Sequence, residues 1–340
     1  MITRRTLAGM GLAGLSLAAC GEAGESAGTR PPSEVRFSIL STEAAQSMEQ
    51  YWAPILADMA TQTGLKVKPF FSSNYTLLIE AMKFKKSDLG WFSNRSGLEA
   101  VRRAGGEVFA RTFDPSGVDG YASVLIVNAK SRLTLAQVLK CDRTLTFGLG
   151  DVLSTSGTLA PMTYLFAPRD IDPAKCFKKL RTGASHQNNL YAVAAGQLDV
   201  ATNNSTALLL NRRRGRREAD EVRVIWRSPT LPEDPIIWRK DLDPAVKEKL
   251  RQFFLTYGQG DDVQGARQRA YMVRINIGGF RPADDSFLLP VREMEATEIW
   301  LTAKQGGDTG RIAAARRSLD AITAQRMALE ARTRTPAAAQ

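Results

Sequence analysis

The chain of 340 residues has a single histidine, His186, and three cysteines, Cys20, Cys141 and Cys176. So few imidazole and thiolate groups, at no metal-ligand spacing, argue against a zinc site, and no cofactor motif is present. Beyond the amino terminus no apolar run reaches the length of a spanning helix. Internal repeats are absent. No serine sits in a nucleophile-elbow pattern, which counts against a hydrolase of that type. Acidic residues are outnumbered, 35 to 46, for a formal net charge of +11. Much of the excess lies in Arg212-Arg213-Arg214-Gly215-Arg216-Arg217. A nucleic-acid patch is the sharp reading of that run. No aromatic residue interleaves it as a stacking platform would require, so a solvated loop or a face near anionic lipid is preferred and no nucleic-acid partner is expected. A positive field would also steer small anions toward a cleft.

The amino terminus does contain a short apolar stretch. Met1-Ile2-Thr3-Arg4-Arg5 is basic, residues 7–17 are apolar and rich in Gly and Ala, and Leu17-Ala18-Ala19-Cys20 closes the stretch. The pattern resembles a bacterial lipoprotein signal. It predicts a signal peptide at 1–19, lipidation at Cys20, a flexible tether at 20–33, and an exported protein anchored to a membrane of the cell envelope. The Arg4-Arg5 pair also fits twin-arginine export. Removing those two arginines takes the net charge from +11 to +9. An oxidising compartment would allow Cys141 and Cys176 to pair, though spacing alone leaves that open.

With 44% apolar residues the remainder can bury a sizeable core, enough for two domains. Its organising stretch is Thr146-Phe147-Gly148-Leu149-Gly150-Asp151-Val152-Leu153-Ser154-Thr155-Ser156-Gly157, read as a strand, a glycine-bearing turn and a helix opening. Three hydroxyl residues before Gly157 gather side-chain donors and free backbone N–H groups where the helix dipole favours negative charge. That chemistry holds a phosphate-like anion without a metal. A simple N-cap at Ser154 or Ser156 is the alternative.

In chain order, strands are expected at 35–40, 65–71 and 88–92, with helices from Ser41-Thr42-Glu43 to Met59 and over 77–84. The alternation argues for a parallel sheet with crossover helices, whose ligands sit beyond the carboxyl ends of the strands. A second series follows: strand 120–127, helix 133–139, strand 145–149, helix 159–166, strand 177–181, helix 190–195, strand 197–204 and helix 205–212. After strand 222–226, a proline-punctuated connection at 229–235 takes the chain back to the first domain, and strand 236–238 and helix 244–257 follow. A polar helix from Asp285, an amphipathic helix over 311–332 and a frayed tail complete the reading.

Several stretches together resemble the substrate-binding proteins of phosphonate ABC transporters, a bilobed class of periplasmic binding protein. They are Ile39-Leu40-Ser41-Thr42-Glu43, Asp119-Gly120-Tyr121, Leu145-Thr146-Phe147-Gly148, Ser154-Thr155-Ser156-Gly157, His186, Asp199-Val200-Ala201-Thr202-Asn203-Asn204, and Val224-Ile225-Trp226-Arg227-Ser228-Pro229 through Asp234-Pro235-Ile236-Ile237-Trp238-Arg239-Lys240. The resemblance implies an α/β fold of type II with two lobes, each a central sheet flanked by helices, joined by crossing strands. Lobe 1 would span 34–125 and 231–290, lobe 2 126–230, and a C-terminal helical segment 291–340. It implies a phosphonate head group held by Ser154, Thr155, Ser156 and His186, with Tyr75 and Tyr121 closing over it, for delivery to an ABC transporter permease.

One position departs from the pattern. Members that bind an aminoalkyl phosphonate carry a glutamate just after the Asn-Asn pair, which holds the ammonium together with an aspartate. Thr206 stands in the glutamate's place and Asp234 keeps the aspartate's. One carboxylate is then expected at the organic end, which favours a neutral alkyl phosphonate, phosphite or a hydroxylated analogue. The rival readings are a phosphate- or phosphite-binding protein, a ligand presenter for a sensor, and a hydrolase with Ser154 or Ser156 as nucleophile and His186 as base. A donor histidine beside an anion should titrate above its ordinary pKa of about 6.5.

Overall fold

The computed structural model describes residues 33–334. The expected signal peptide, the lipidation site Cys20, the tether up to residue 32 and the tail from residue 335 lie outside the described residues.

The chain begins with β1 (Glu34–Leu40), α1 (Ala45–Thr63), β2 (Lys66–Ser72), α2 (Tyr75–Lys83), β3 (Leu89–Trp91), α3 (Asn94–Arg103) and β4 (Gly106–Phe113). Helix α1 buries Met48, Trp52, Ile55, Leu56 and Met59, a helical-period stripe. Gly64 closes it in the left-handed conformation, φ 67°. Then come β5 (Ser123–Asn128), α4 (Leu135–Val138), β6 (Thr146–Gly150), α5 (Pro173–Cys176), β7 (Lys179–Ala184), α6 (His186–Ala194), β8 (Val200–Asn204), α7 (Ser205–Arg213) and β9 (Val222–Arg227). Between β6 and α5 runs a wide helix with π-helical turns at Thr155–Leu159 and Met162–Phe166. The chain ends with β10 (Pro235–Arg239), α8 (Pro244–Thr256), α9 (Val263–Val273), β11 (Gly279–Pro282), α10 (Leu289–Gly306) and α11 (Thr309–Arg334).

Two sheets result, ordered β11-β4-β10-β3-β1-β2 and β7-β6-β8-β5-β9. The expected all-parallel arrangement holds only in part. In the first sheet β1, β2 and β3 are parallel, whereas β10 is antiparallel to both β3 and β4, and β11 to β4. In the second, β5 lies antiparallel to β8 and β9. For β5 and β10 the physical cause is the crossover: each arrives directly from the other sheet, without the helical crossover connection that a parallel neighbour requires. The helices α3 and α9 and the strand β4 have no counterpart in the sequence reading.

The sheets are linked by residues 114–122 and 228–234. The expected boundary at 125/126 falls inside β5, all of which belongs to the second sheet, because the polar, glycine-bearing segment before it makes the crossing. Tyr121 and Leu231 exchange backbone hydrogen bonds of 3.1 and 2.7 Å, which tie the two crossings together. Each lobe has its own core. Phe37, Trp52, Phe109, Trp238 and Phe254 are fully buried in the first, with Phe109 stacked on Trp238 at 3.8 Å. Phe147, Phe166 and Phe177 fill one side of the second. Burial of each such ring stabilises the fold by ~1.5–3 kcal/mol. Cys141 and Cys176 form a disulfide. Helix α11 lies along α10, its buried Leu319 and partly buried Ile312, Ile322 and Leu329 following the expected amphipathic spacing.

Candidate functional site

Several helix starts converge on one cavity between the two sheets. Asn74 caps α2, accepting from Leu77 N at 3.0 Å; Ser154 caps the π helix, accepting from Gly157 N at 2.9 Å; Ser185 caps α6, accepting from Asn188 N at 3.2 Å; Asn204 caps α7, accepting from Ala207 N at 2.6 Å. The residues at or next to these caps, Tyr75, Ser154, Ser156, His186 and Thr206, all line the cavity. Helix amino termini aimed at one point make a field that favours an anion. Close backbone packing makes the central turn. A Cβ on Gly150 would lie 2.8 Å from Gly157 Cα, and one on Gly157 would lie 2.7 Å from Ser154 Oγ. Ser123 Oγ donates to the Ser156 carbonyl at 2.6 Å and Thr202 Oγ1 to that of Gly157 at 2.8 Å, fixing the turn on the second sheet.

Of the expected residues, Tyr75, Tyr121, Ser154, Ser156, His186, Thr206 and Asp234 line this cavity. Thr155 does not: its Oγ1 accepts from Arg95 N at 2.9 Å, holding the start of α3 in the other lobe. Ser154 serves as both cap and wall, so the two readings of the hydroxyl run coexist. The cavity volume is about 60 Å³. A buried water needs ~10–15 Å³ on the same measure, so there is room for roughly four to six water-sized groups.

His186 Nε2 lies 3.2 Å from Ser156 Oγ, and Nδ1 has no hydrogen-bond partner among the described residues. Burial pushes the imidazole down to about 4. At neutral pH the ring is uncharged. A serine beside a histidine resembles a nucleophile and its base, but a base this weak, with no acceptor to orient Nδ1, does not activate a hydroxyl. Burial also raises the phenols of Tyr75 and Tyr121 above their ordinary range. Both stay protonated as donors, Tyr75 beside Ser154 and Tyr121 beside Ser156 and Asp234.

The acidic part of the lining differs from expectation. Glu233 lines it together with Asp234, so two carboxyl groups face the cavity rather than one. Burial raises both, Glu233 to about 7. The available signal was an acid pair set between Pro232 and Pro235. Arg214, from the arginine run, also lines the cavity, and its partners lie across the cleft. It pairs with the buried Glu43, donates to the Arg274 carbonyl at 2.8 Å and covers the Tyr51 ring at 4.0 Å. Arg213 reaches Asn276 Oδ1 at 3.2 Å. These two arginines clasp the lobes rather than forming only a solvated or lipid-facing loop. The Ala44 N–H adds a 2.8 Å bond to Gln187 Oε1.

Two sheet-and-helix lobes joined by paired crossings, with an anion-favouring cavity between them, define a bilobed solute-binding protein. Known proteins agree. The profile of ABC-transporter phosphonate periplasmic substrate-binding proteins matches residues 37–288. The phosphonates-binding periplasmic protein of Escherichia coli K12 is 41% identical over 261 residues, covering 76% of this chain and 75% of its own. A crystal structure of a binding component of an ABC phosphonate transporter from Pseudomonas aeruginosa superposes with a TM-score of 0.80 at 38% identity, over 89% of this chain and 98% of that one. PhnD1 of Prochlorococcus marinus (MIT 9301), in complex with methylphosphonate, has a TM-score of 0.67 at 19% identity over 77% and 97% of the chains, and so speaks to the type II fold. The chain belongs to the phosphonate periplasmic substrate-binding protein family of ABC transporters. It is a transport component and not an enzyme.

Proposed function

We propose that the cavity takes a small phosphonate with its head group on Ser154, Ser156 and His186, covered by Tyr75 and Tyr121, and with its organic end toward Thr206 and Asp234. Thr155 contributes by holding the motif against α3. The observation that carries this reading is the meeting of capped helix starts with Ser156 and His186 at one point. Neutral hydroxyl, phenol, imidazole and amide donors suit three anionic oxygens without a cation. The cavity volume fits a methyl- or aminoethyl-sized ligand. Loaded protein docks on an ABC permease, from a membrane position set by a lipid on Cys20. The lobes, joined by the crossings at 114–122 and 228–234, close as a hinge about them, and the Arg214 clasp belongs to the closed form.

Calorimetric titration with methylphosphonate, ethylphosphonate, phosphite, phosphate and sulfate tests the assignment. The phosphorus oxyanions should bind and sulfate should not, and Ser156→Ala should weaken every ligand that binds. Equal affinity of Ser156→Ala and wild type would remove the head-group assignment.

A further inference from the structure

Two acids, Glu233 and Asp234, line the cavity, and neither forms an ion pair with an arginine or lysine among the described residues. Arg214, the one such basic side chain in the cavity wall, is taken by Glu43. Arg111, which acts on Glu233 through space, is held by both oxygens of Asp119 at 2.8 and 2.9 Å. Glu233 Oε1 is shut off from bulk solvent and has no hydrogen-bond partner among the described residues. Buried acceptors are nearly always satisfied in folded proteins, so an orphan carboxyl oxygen in the wall of a binding cavity points to a donor brought from outside the chain.

The acid pair is also held in place. Asn94 Nδ2 donates to the carbonyls of Pro232 at 2.8 Å and Glu233 at 3.1 Å. The Asp234 carbonyl accepts from Thr112 N at 3.0 Å and Thr112 Oγ1 at 3.2 Å. Pro232 and Pro235 restrict the backbone on either side. Such support preorganises side chains for a ligand. Thr206, also in the lining, supplies only a hydroxyl.

We infer that Glu233 is a specificity-determining residue: with Asp234 it receives a cationic, hydrogen-donating group at the organic end of the ligand, as an aminoalkyl phosphonate carries. The carboxylate missing at position 206 is thereby replaced from the crossing segment. This rests on the phosphonate reading above, since the ligand's other end must occupy the helix starts.

The test is calorimetry of wild type and Glu233→Gln with 2-aminoethylphosphonate and with ethylphosphonate, which lacks the amine. Wild type should prefer the amine by about tenfold or more, and Glu233→Gln should lose about tenfold on the amine with little change for ethylphosphonate, the usual scale of a hydrogen bond to a charged group. Adding Thr206→Glu to Glu233→Gln should restore the preference. If Glu233→Gln fails to fold, judged by circular dichroism, Glu233→Ala serves the same comparison. An unchanged ratio of affinities in the folded variant overturns the role of Glu233. Ethylphosphonate binding with no amine preference in wild type also overturns it, and leaves the phosphonate reading standing. Binding of neither ligand to wild type overturns both.

Discussion

Two groups of the cavity lining are built on opposite plans. Ser154, Ser156 and His186 are neutral donors at helix starts, each fixed by hydrogen bonds to its own lobe. Glu233 and Asp234 are acids on a segment that crosses between lobes, with one carboxyl oxygen unpaired among the described residues. Donors for an anion can be completed within a few residues of chain, because a helix start supplies backbone N–H groups and its cap together. Acids for a cation depend on where a crossing segment comes to lie.

The largest expected effect tests whether either group depends on global stability. Cys141 and Cys176 close a loop with a sequence separation of 35, away from the cavity. Replacing both with serine should lower unfolding stability by about 2–4 kcal/mol and leave phosphonate affinity unchanged. A matching loss of affinity would mean that the cavity walls are softer than described. Next, Ser156→Ala should cost about 1.5–3 kcal/mol of binding with little change in thermal midpoint. Ser154→Ala should cost a similar amount of binding and ~1 kcal/mol of stability as well, because it removes the cap on Gly157. Equal midpoints for the two variants would deny Ser154 its double role.

Arg214→Ala sharpens the comparison from the side. It strips buried Glu43 of its partner across the cleft, so it should weaken binding by about tenfold, ~1.4 kcal/mol, mainly through faster dissociation. Small-angle scattering should show wild type becoming more compact with ligand, and the variant less so. Identical off-rates would show that the clasp does not report closure.

The smallest effects are in pH dependence, and their signs differ between the two groups. Burial holds Glu233 at about 7, above its ordinary 4.5. Its protonated form favours the fold below 4.5 to the full extent, and that contribution is lost as pH rises through 7. A cation at this carboxyl favours ionisation, so 2-aminoethylphosphonate should bind more tightly, relative to ethylphosphonate, as pH rises through 7. A ratio independent of pH would place the amine elsewhere. His186 works the other way. With its folded value at about 4, below the ordinary 6.5, its neutral form supports the fold above 6.5, and that support fades as pH falls toward 4. His186→Gln should therefore cost under about 1 kcal/mol of binding and leave the affinity profile between pH 7 and 8.5 unchanged. A profile that changed in that window would mean that the ring is charged when ligand binds.

Legibility in the sequence follows the same division. Ser154 and Ser156 could be read because hydroxyls, Gly157 and a helix start are neighbours in the chain, whereas His186, 30 positions from Ser156, was assigned through the resemblance. Asp234 was found only through resemblance. Glu233 was missed although adjacent, because its side chain reaches the cavity through the pairing of Tyr121 with Leu231 and the bonds from Asn94, contacts between distant parts of the chain. The arginine run was read from composition as a surface feature. Its Arg214 meets Glu43 across 171 positions, which no local pattern reveals. The strand succession was legible apart from β4 and β11, but the direction of β5 and β10 was not, since alternation carries no sign of whether a strand arrives by a helix or by a direct crossing.

The most direct measurement is a crystal structure of the protein grown with 2-aminoethylphosphonate, with phosphorus located by its anomalous signal. The account predicts phosphorus beside Ser156 Oγ and His186 Nε2, and the amine within hydrogen-bonding distance of Glu233 and Asp234. Phosphorus at the carboxyl groups, or a ligand outside the cavity, would contradict it.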